Sequence, residues 1–271
     1  MDSKYQEFFT LLWEYYESHG RHDLPWRLPD EHGEFDPYKI MVSEIMLQQT
    51  QVNRVIPKYQ IFLTHFPTIK ALARAPLGDV LRIWQGLGYN RRAKFLWQAA
   101  QKVMNDFDGS MPSTEMELMN LPGIGKNTAG AILAYAYNQP AVFIETNIRT
   151  VYIHHFFADK QGIDDKELIP IITQTLDTKN PRIFYWALMD YGTHLKQTKG
   201  NLNKLSKSYT KQSKFHGSKR QIRGAVIRLL SKGSHTYNDL MNKIQDERLE
   251  TILEDLVAEG LITKIGKFYK L

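Results

Sequence analysis

Cysteine is absent from the 271 residues, which excludes disulfides, zinc-thiolate sites and cysteine-ligated iron-sulfur clusters. No apolar run approaches the roughly 20 residues needed to cross a bilayer, so neither a membrane-spanning helix nor a membrane partner is expected. Met1-Asp2-Ser3-Lys4 does not open a signal peptide, and the expected setting is intracellular. Internal repeats and low-complexity tracts are also missing, and no Asp or Glu occurs anywhere between Lys196 and Lys232. What is present is ordinary for a globular chain: 42 % hydrophobic and 24 % charged residues, with a formal net charge of +6 that favours an anionic partner.

The chain is organised around Leu121-Pro122-Gly123-Ile124-Gly125-Lys126-Asn127-Thr128. Upstream, Thr114 and Glu117 have capping-box spacing for a short helix over 114–121, which Pro122 and Gly123 end; past Gly125 the apolar pattern resumes as a helix over 126–137. Gly123 and Gly125 leave the hairpin backbone open to close approach by a phosphate, and the free N–H groups of the next helix start face it. For Gly-x-Gly alone, an ordinary helix-helix turn is the competing reading.

Further helices are predicted over 5–19, 54–65, 68–74, 77–84 and 91–106, and Asp36 with Pro37 marks another helix start. On that helix Tyr38, Met41, Val42 and Ile45 fall on the core face, and Glu44 and Gln48 share a neighbouring stripe where an isolated Glu is ordinarily a solvated carboxylate. The apolar run 141–144 leads into a helix that Thr146 or Asn147 can cap, which puts Glu145 at a helix N-terminus. Helices continue to about 190. The basic stretch beyond reads either as a solvated linker or as a phosphate contact. The tail, with helices over 218–231, 235–244 and 246–259 and β-like runs over 261–264 and 267–271, has a winged-helix order and reads as a separate small unit.

The hairpin resembles the helix-hairpin-helix of the endonuclease III superfamily of DNA glycosylases. Ser43-Glu44-Ile45-Met46-Leu47-Gln48-Gln49-Thr50-Gln51-Val52 resembles the catalytic-acid helix of the A/G-specific adenine DNA glycosylases. Leu24-Pro25-Trp26-Arg27 and Gly86-Leu87-Gly88-Tyr89-Asn90-Arg91-Arg92-Ala93 are family-type segments in family order, the second carrying two cations read as DNA contacts. The resemblance covers about residues 5–195. It implies an all-α, two-lobed helical fold with a helix-hairpin-helix, to which a small winged-helix-like C-terminal domain is added. The expected divisions are 1–30 with 139–195 as one lobe, 31–138 as a six-helix domain, 196–216 as a basic linker and 217–271 as the winged-helix-like domain.

Excising a base requires activation of the leaving group and stabilisation of a cationic sugar, two roles that two carboxyl groups can divide. The resemblance gives Glu44 the acid role. Glu145 stands where the superfamily has an Asp followed two residues later by Asn, the latter kept as Asn147; ionised, Glu145 would face the sugar cation. Its extra methylene moves the carboxylate by roughly 1.5 Å, where about 1 Å can cost on the order of a hundredfold in rate. Asn127 stands where bifunctional members carry a Schiff-base lysine, and Lys126, roughly 100° away on a helix, is expected on phosphate, so water is the expected nucleophile. Gln48, Gln49 and Tyr89 are expected to enter the duplex, with a polar helix cap as the competing reading for Gln49. Trp26, Arg27, Arg91, Leu121, Gly123, Gly125, Lys126, Asn127 and Thr128 complete the expected DNA contacts.

The resemblance further implies a monovalent cation on the carbonyls of Met119, Leu121 and Ile124. No other cofactor or metal is expected, because the cysteines of the family's iron-sulfur loop are missing and the basic linker stands in its place. The family's C-terminal domain for oxidised guanine is not evident. The expected activity is that of a monofunctional, mismatch-directed DNA glycosylase in base excision repair. It would remove adenine opposite guanine or 8-oxoguanine in double-stranded DNA and work as a cytoplasmic or nucleoid-associated monomer. Removal of thymine or uracil from mismatches with guanine, and non-catalytic binding of mismatched or damaged DNA, stay open. The purified protein should be colourless, hold no stoichiometric iron and keep its helical circular dichroism in chelator; iron at one cluster per chain would contradict this.

Overall fold

The computed structural model describes residues 3–271. In chain order the helices are α1 (Ser3–His19), α2 (Pro37–Leu47), α3 (Val52–His65), α4 (Ile69–Arg74), α5 (Leu77–Trp84), α6 (Arg91–Asp106) and α7 (Glu115–Met119). They continue as α8 (Lys126–Tyr137), α9 (Thr146–Phe156), α10 (Asp165–Thr175), α11 (Pro181–Thr198), α12 (Lys219–Leu230), α13 (Tyr237–Ile244) and α14 (Leu249–Ala258). Strands β1 (His235–Thr236), β2 (Thr263–Ile265) and β3 (Phe268–Lys270) form an antiparallel sheet in the order β1-β3-β2. Short polar side chains set many of the helix starts. Asp36 accepts from the Tyr38 amide at 2.9 Å, Thr68 from Ala71, and Asp164 with Glu167 closes a capping box. One expected helix start is corrected: β1 occupies the first two residues of the 235–244 segment, because Thr236 is extended and caps α13 with Asp239.

Contacts divide the chain into two compact units, Met1–Ile40 with Ser113–Met119 and Ile124–Lys211, and Met41–Pro112 with Asn120–Gly123 and Gln212–Leu271. In the first, α1, α9 and α11 enclose Phe8, Leu12, Tyr152, Phe184 and Leu188, all fully buried. The helices α9 and α11 approach closely because residue 192 is glycine: a Cβ there would lie 2.4 Å from the Asn147 carbonyl oxygen. Asp190, on α11, is 2 % exposed. It accepts a two-pronged bond from Arg27 at 2.7 and 3.0 Å and bonds from the Arg21 side chain and amide at 2.7 and 2.8 Å.

The basic segment after α11 is not a loose linker. Asn203, 4 % exposed, donates to the Thr146 carbonyl at 3.1 Å and to the Thr150 hydroxyl at 2.8 Å. The Ile163 amide donates to the Leu205 carbonyl and the Lys207 amide to the Ile163 carbonyl, both at 2.9 Å. Arg149 forms a two-pronged pair with Asp165, which also accepts from Ser208. Polar side chains and a short backbone bridge at Ile163 thus fasten this segment to α9 and to the start of α10, while Lys204 and Lys207 stay exposed.

In the second unit, α3 to α6 bury Val55, Phe62, Leu72, Leu81, Trp84, Leu96 and Val103. Contacts group the winged-helix-like tail, from Gln212 on, with this unit. Glu259, at the end of α14, pairs with Arg223 at 2.5 Å, its carbonyl accepts from Lys94 of α6, and Arg82 of α5 donates to the Ser231 carbonyl at 3.3 Å.

The Asp190 cluster gives a stability test. Burial pushes the Asp190 carboxyl up, the bonds and charge of Arg27 and Arg21 pull it down, and the net direction is down. A lowered native value contributes stability above the unfolded-state pKa that is lost as pH falls through the native one. Asp190→Asn, which leaves Arg27 buried without its counter-charge, should cost about 3–5 kcal/mol at neutral pH in denaturant unfolding. It should also flatten the loss of stability on acidification; equal stability of both chains at pH 7 would refute the assignment.

Candidate active site

Glu44 is half-buried on α2, one turn before a sharp chain reversal at Gln48 and Gln49. The reversal is held by Arg92, at the start of α6, which is 8 % exposed. Its guanidinium donates to the carbonyls of Ile45 at 2.8 Å, Met46 at 3.0 Å and Gln48 at 2.5 Å, to the Thr50 hydroxyl at 3.0 Å, and to the carbonyls of Leu87 and Gly88 at 3.4 and 3.2 Å. The last carbonyls of a helix have no partner within it, so one buried cation both closes α2 and ties it to the turn before α6. Burial brings this guanidinium down to about 10, which leaves it charged at neutral pH. Arg92 therefore faces inward, a correction to its reading as a DNA contact. Gln49 and Tyr89, on the two turns it joins, both have left-handed backbones, φ 54° and 49°. Such angles are uncommon for residues with side chains and cluster where a site over-determines the backbone.

Glu145 lies in the first unit. It is itself the N-cap of α9, the role expected for Thr146 or Asn147. Its Oε1 accepts from the amides of Asn147 at 2.6 Å and Ile148 at 2.9 Å, and its Oε2 accepts from the Thr146 hydroxyl at 3.1 Å. Burial pushes its carboxyl up; the Ile148 and Asn147 amides, the Thr146 hydroxyl and Arg149 pull it down, and the net direction is up. This differs from the fully ionised carboxylate expected from a helix terminus alone, because burial outweighs the helix end. The loop before it is fixed by Asn127, whose carboxamide donates to the Ile144 carbonyl at 2.6 Å and accepts from the Ile144 amide at 3.3 Å. Sequence reasoning placed Asn127 on DNA; the structure puts its side chain on the Glu145 loop.

The hairpin has the expected backbone. Gly123 has φ +80° and a Cβ there would meet Phe95 at 2.7 Å; Gly125, Lys126 and Gly123 are exposed, while Leu121 is buried. Helix α8 starts at Lys126, and Thr128 is half-buried in its first turn. Arg91 is exposed, 3.8 Å from Glu259. Trp26 and Arg27 are instead buried at 6 % exposure, Arg27 engaged by Asp190 and stacked 5.3 Å from the Trp186 ring, so neither presents its side chain to a ligand.

Residues 42–174 match the model of a family described as HhH-GPD superfamily base excision DNA repair protein. The adenine DNA glycosylase of Mycolicibacterium smegmatis is 31 % identical over 274 residues, covering 92 % of both chains. The chain belongs to the HhH-GPD superfamily. The adenine DNA glycosylase of Buchnera aphidicola subsp. Baizongia pistaciae is 37 % identical over 189 residues, 68 % of this chain and 52 % of the relative, so the chain spans about half the length of that protein. Among solved structures, a thermostable thymine-DNA glycosylase superposes with a TM-score of 0.60 at 24 % identity, covering 70 % of this chain and 87 % of that one. A trapped endonuclease III–DNA covalent intermediate gives 0.57 at 18 % identity, with 70 % and 86 % covered. These two likenesses carry the fold: an all-α superfamily fold with its helix-hairpin-helix.

The motif around Glu44 lies within the matched span, as do Tyr89, the hairpin, Glu145 and Asn147. The residue that sequence reasoning missed is Arg92, which looks like any cation at a helix start. Its signal was its place directly after the glycine-bearing turn 86–89, whose carbonyls have no partner in a helix. Arg92→Met should leave several buried carbonyls unpaired and cost at least about 2 kcal/mol. Thermal unfolding with an unchanged midpoint would show that Arg92 does not clamp the two turns.

Proposed function

We propose that the chain is a monofunctional DNA glycosylase of base excision repair that hydrolyses the N-glycosidic bond of adenine mispaired with guanine or 8-oxoguanine. The observation that carries this reading is the likeness to an adenine DNA glycosylase along 92 % of both chains, which includes the Glu44 helix. In the proposed reaction Glu44 donates its proton to the departing adenine, and the bond from the sugar carbon to the base nitrogen breaks. Glu145, as a carboxylate, faces the positive sugar, and a water adds its hydroxyl to the same carbon while its proton returns to the Glu44 carboxylate. Asn127, with its carboxamide engaged by Ile144, offers no amine for a Schiff base, which supports water as nucleophile. Exposed Gly123, Gly125 and Lys126 would hold a phosphate at the start of α8. Carbonyls of Met119, Leu121 and Ile124 would hold a monovalent cation there, and Gln48, Gln49 and Tyr89 would fill the gap left by the flipped nucleotide.

Single-turnover assays with each mispair, followed by identification of the released base, test the reading. Free adenine is expected; release of thymine or uracil alone would replace it with the pyrimidine reading, and tight binding without release would leave a non-catalytic binder. Glu44→Gln should lower the rate by about a hundredfold or more. Because the Glu145 carboxyl is pushed up and acts ionised, the rate should fall on acidification at a pH above the ordinary carboxylate range. Rates that stay flat through that range, together with full activity of Glu145→Gln, would remove Glu145 from the mechanism.

A further inference from the structure

Gln49 and Tyr89, both left-handed, are already in polar contact with the chain that follows the basic segment. The Gln212 carboxamide donates to the Gln49 side-chain oxygen at 3.1 Å and also bonds the Tyr89 hydroxyl. Arg220, in the first turn of α12, donates to the same hydroxyl at 2.5 Å and lies over the Tyr89 ring, 5.5 Å from its centre. Its other arm donates to the Ser213 carbonyl at 2.7 Å, which ties it to the strand of chain bearing Gln212. Gln49 and Gln212 are exposed, so the cluster opens to solvent. Lys214 and Lys219 line an open concavity of about 580 Å³ beside it, where cationic side chains suit a phosphate strand.

We propose that Gln212 and Arg220 are specificity-determining residues that bind the partner base left behind when adenine is flipped, and that this base is a 6-oxopurine. The inference rests on the adenine reading above. A guanidinium donates to a purine O6 acceptor. A carboxamide carries both a donor and an acceptor, so Gln212 can serve the N7 acceptor of guanine or the N7–H donor of 8-oxoguanine. Binding exchanges the bonds that Gln212 and Arg220 make within the cluster for bonds to the base, and the exposed Gln49 side chain that loses its donor is open to water. The tail thereby takes part in recognition through a site built with Gln49 and Tyr89.

The test is single-turnover release of adenine opposite 8-oxoguanine, guanine, 2-aminopurine, which lacks O6, and an abasic analogue. The wild-type chain should act about tenfold faster opposite guanine than opposite 2-aminopurine. Gln212→Ala and Arg220→Met should each lower the rate opposite guanine or 8-oxoguanine, relative to the abasic analogue, by about the same factor, and Arg220→Met should abolish the 2-aminopurine difference. Adenine release by the wild-type chain that ignores the partner base overturns the inference alone, and this arm needs no variant to fold. Unchanged ratios in variants with wild-type melting overturn it too. No adenine release by the wild-type chain opposite any partner instead sinks the reading on which it rests, and the inference with it.

Discussion

A single buried guanidinium carries more of the proposed site than any carboxylate does. The end of a helix has carbonyls that nothing in the helix can satisfy, and a glycine-bearing turn has carbonyls that no ladder satisfies. Arg92 collects both sets, from Ile45, Met46 and Gln48 on one side and Leu87 and Gly88 on the other. Its plane lies 5.5 Å from the Trp84 ring centre and 5.4 Å from that of Tyr89, so the apolar faces of the cation are covered as well. The left-handed backbones at Gln49 and Tyr89 are unfavourable in isolation and persist because the tie over-determines them.

The departure at position 145 has a local explanation. A longer acid at a helix start can fold back on its own helix, and Glu145 does so, spending Oε1 on two amides of α9 while Oε2 meets Thr146. Asn127 braces the loop from one side and Asn203 braces the first turn of α9, through Thr146 and Thr150. In a chain without cysteine, the Asn203 carboxamide, the Ser208 hydroxyl on Asp165 and two backbone bonds of Ile163 fasten the segment that follows α11.

Most of the helical layout was legible because it rests on local signals. Asp36 with Pro37 and Thr114 with Glu117 mark helix starts, and the apolar period over 126–137 gives α8 with both its ends. The Glu44 helix and the hairpin were legible for the same reason. What stayed hidden depends on partners distant in sequence. Arg27 reads as a free cation until Asp190, 163 positions on, is brought to it. Arg92 and Arg91 look alike in sequence, yet one is buried and the other exposed. The lysines between 196 and 232 left a solvated linker and a phosphate contact open, because charge patterning says nothing about Asn203, the residue that anchors the start of this segment.

The carboxamide at position 127 has a consequence for how this lineage can change. Its two bonds to the Ile144 peptide make the loop before Glu145 stiff, and they occupy the place where, by resemblance, bifunctional relatives carry a reactive amine. A single codon change to lysine would introduce the amine and unlatch the loop in the same stroke. An amine at position 127 and the two bonds that hold the loop before Glu145 therefore exclude one another.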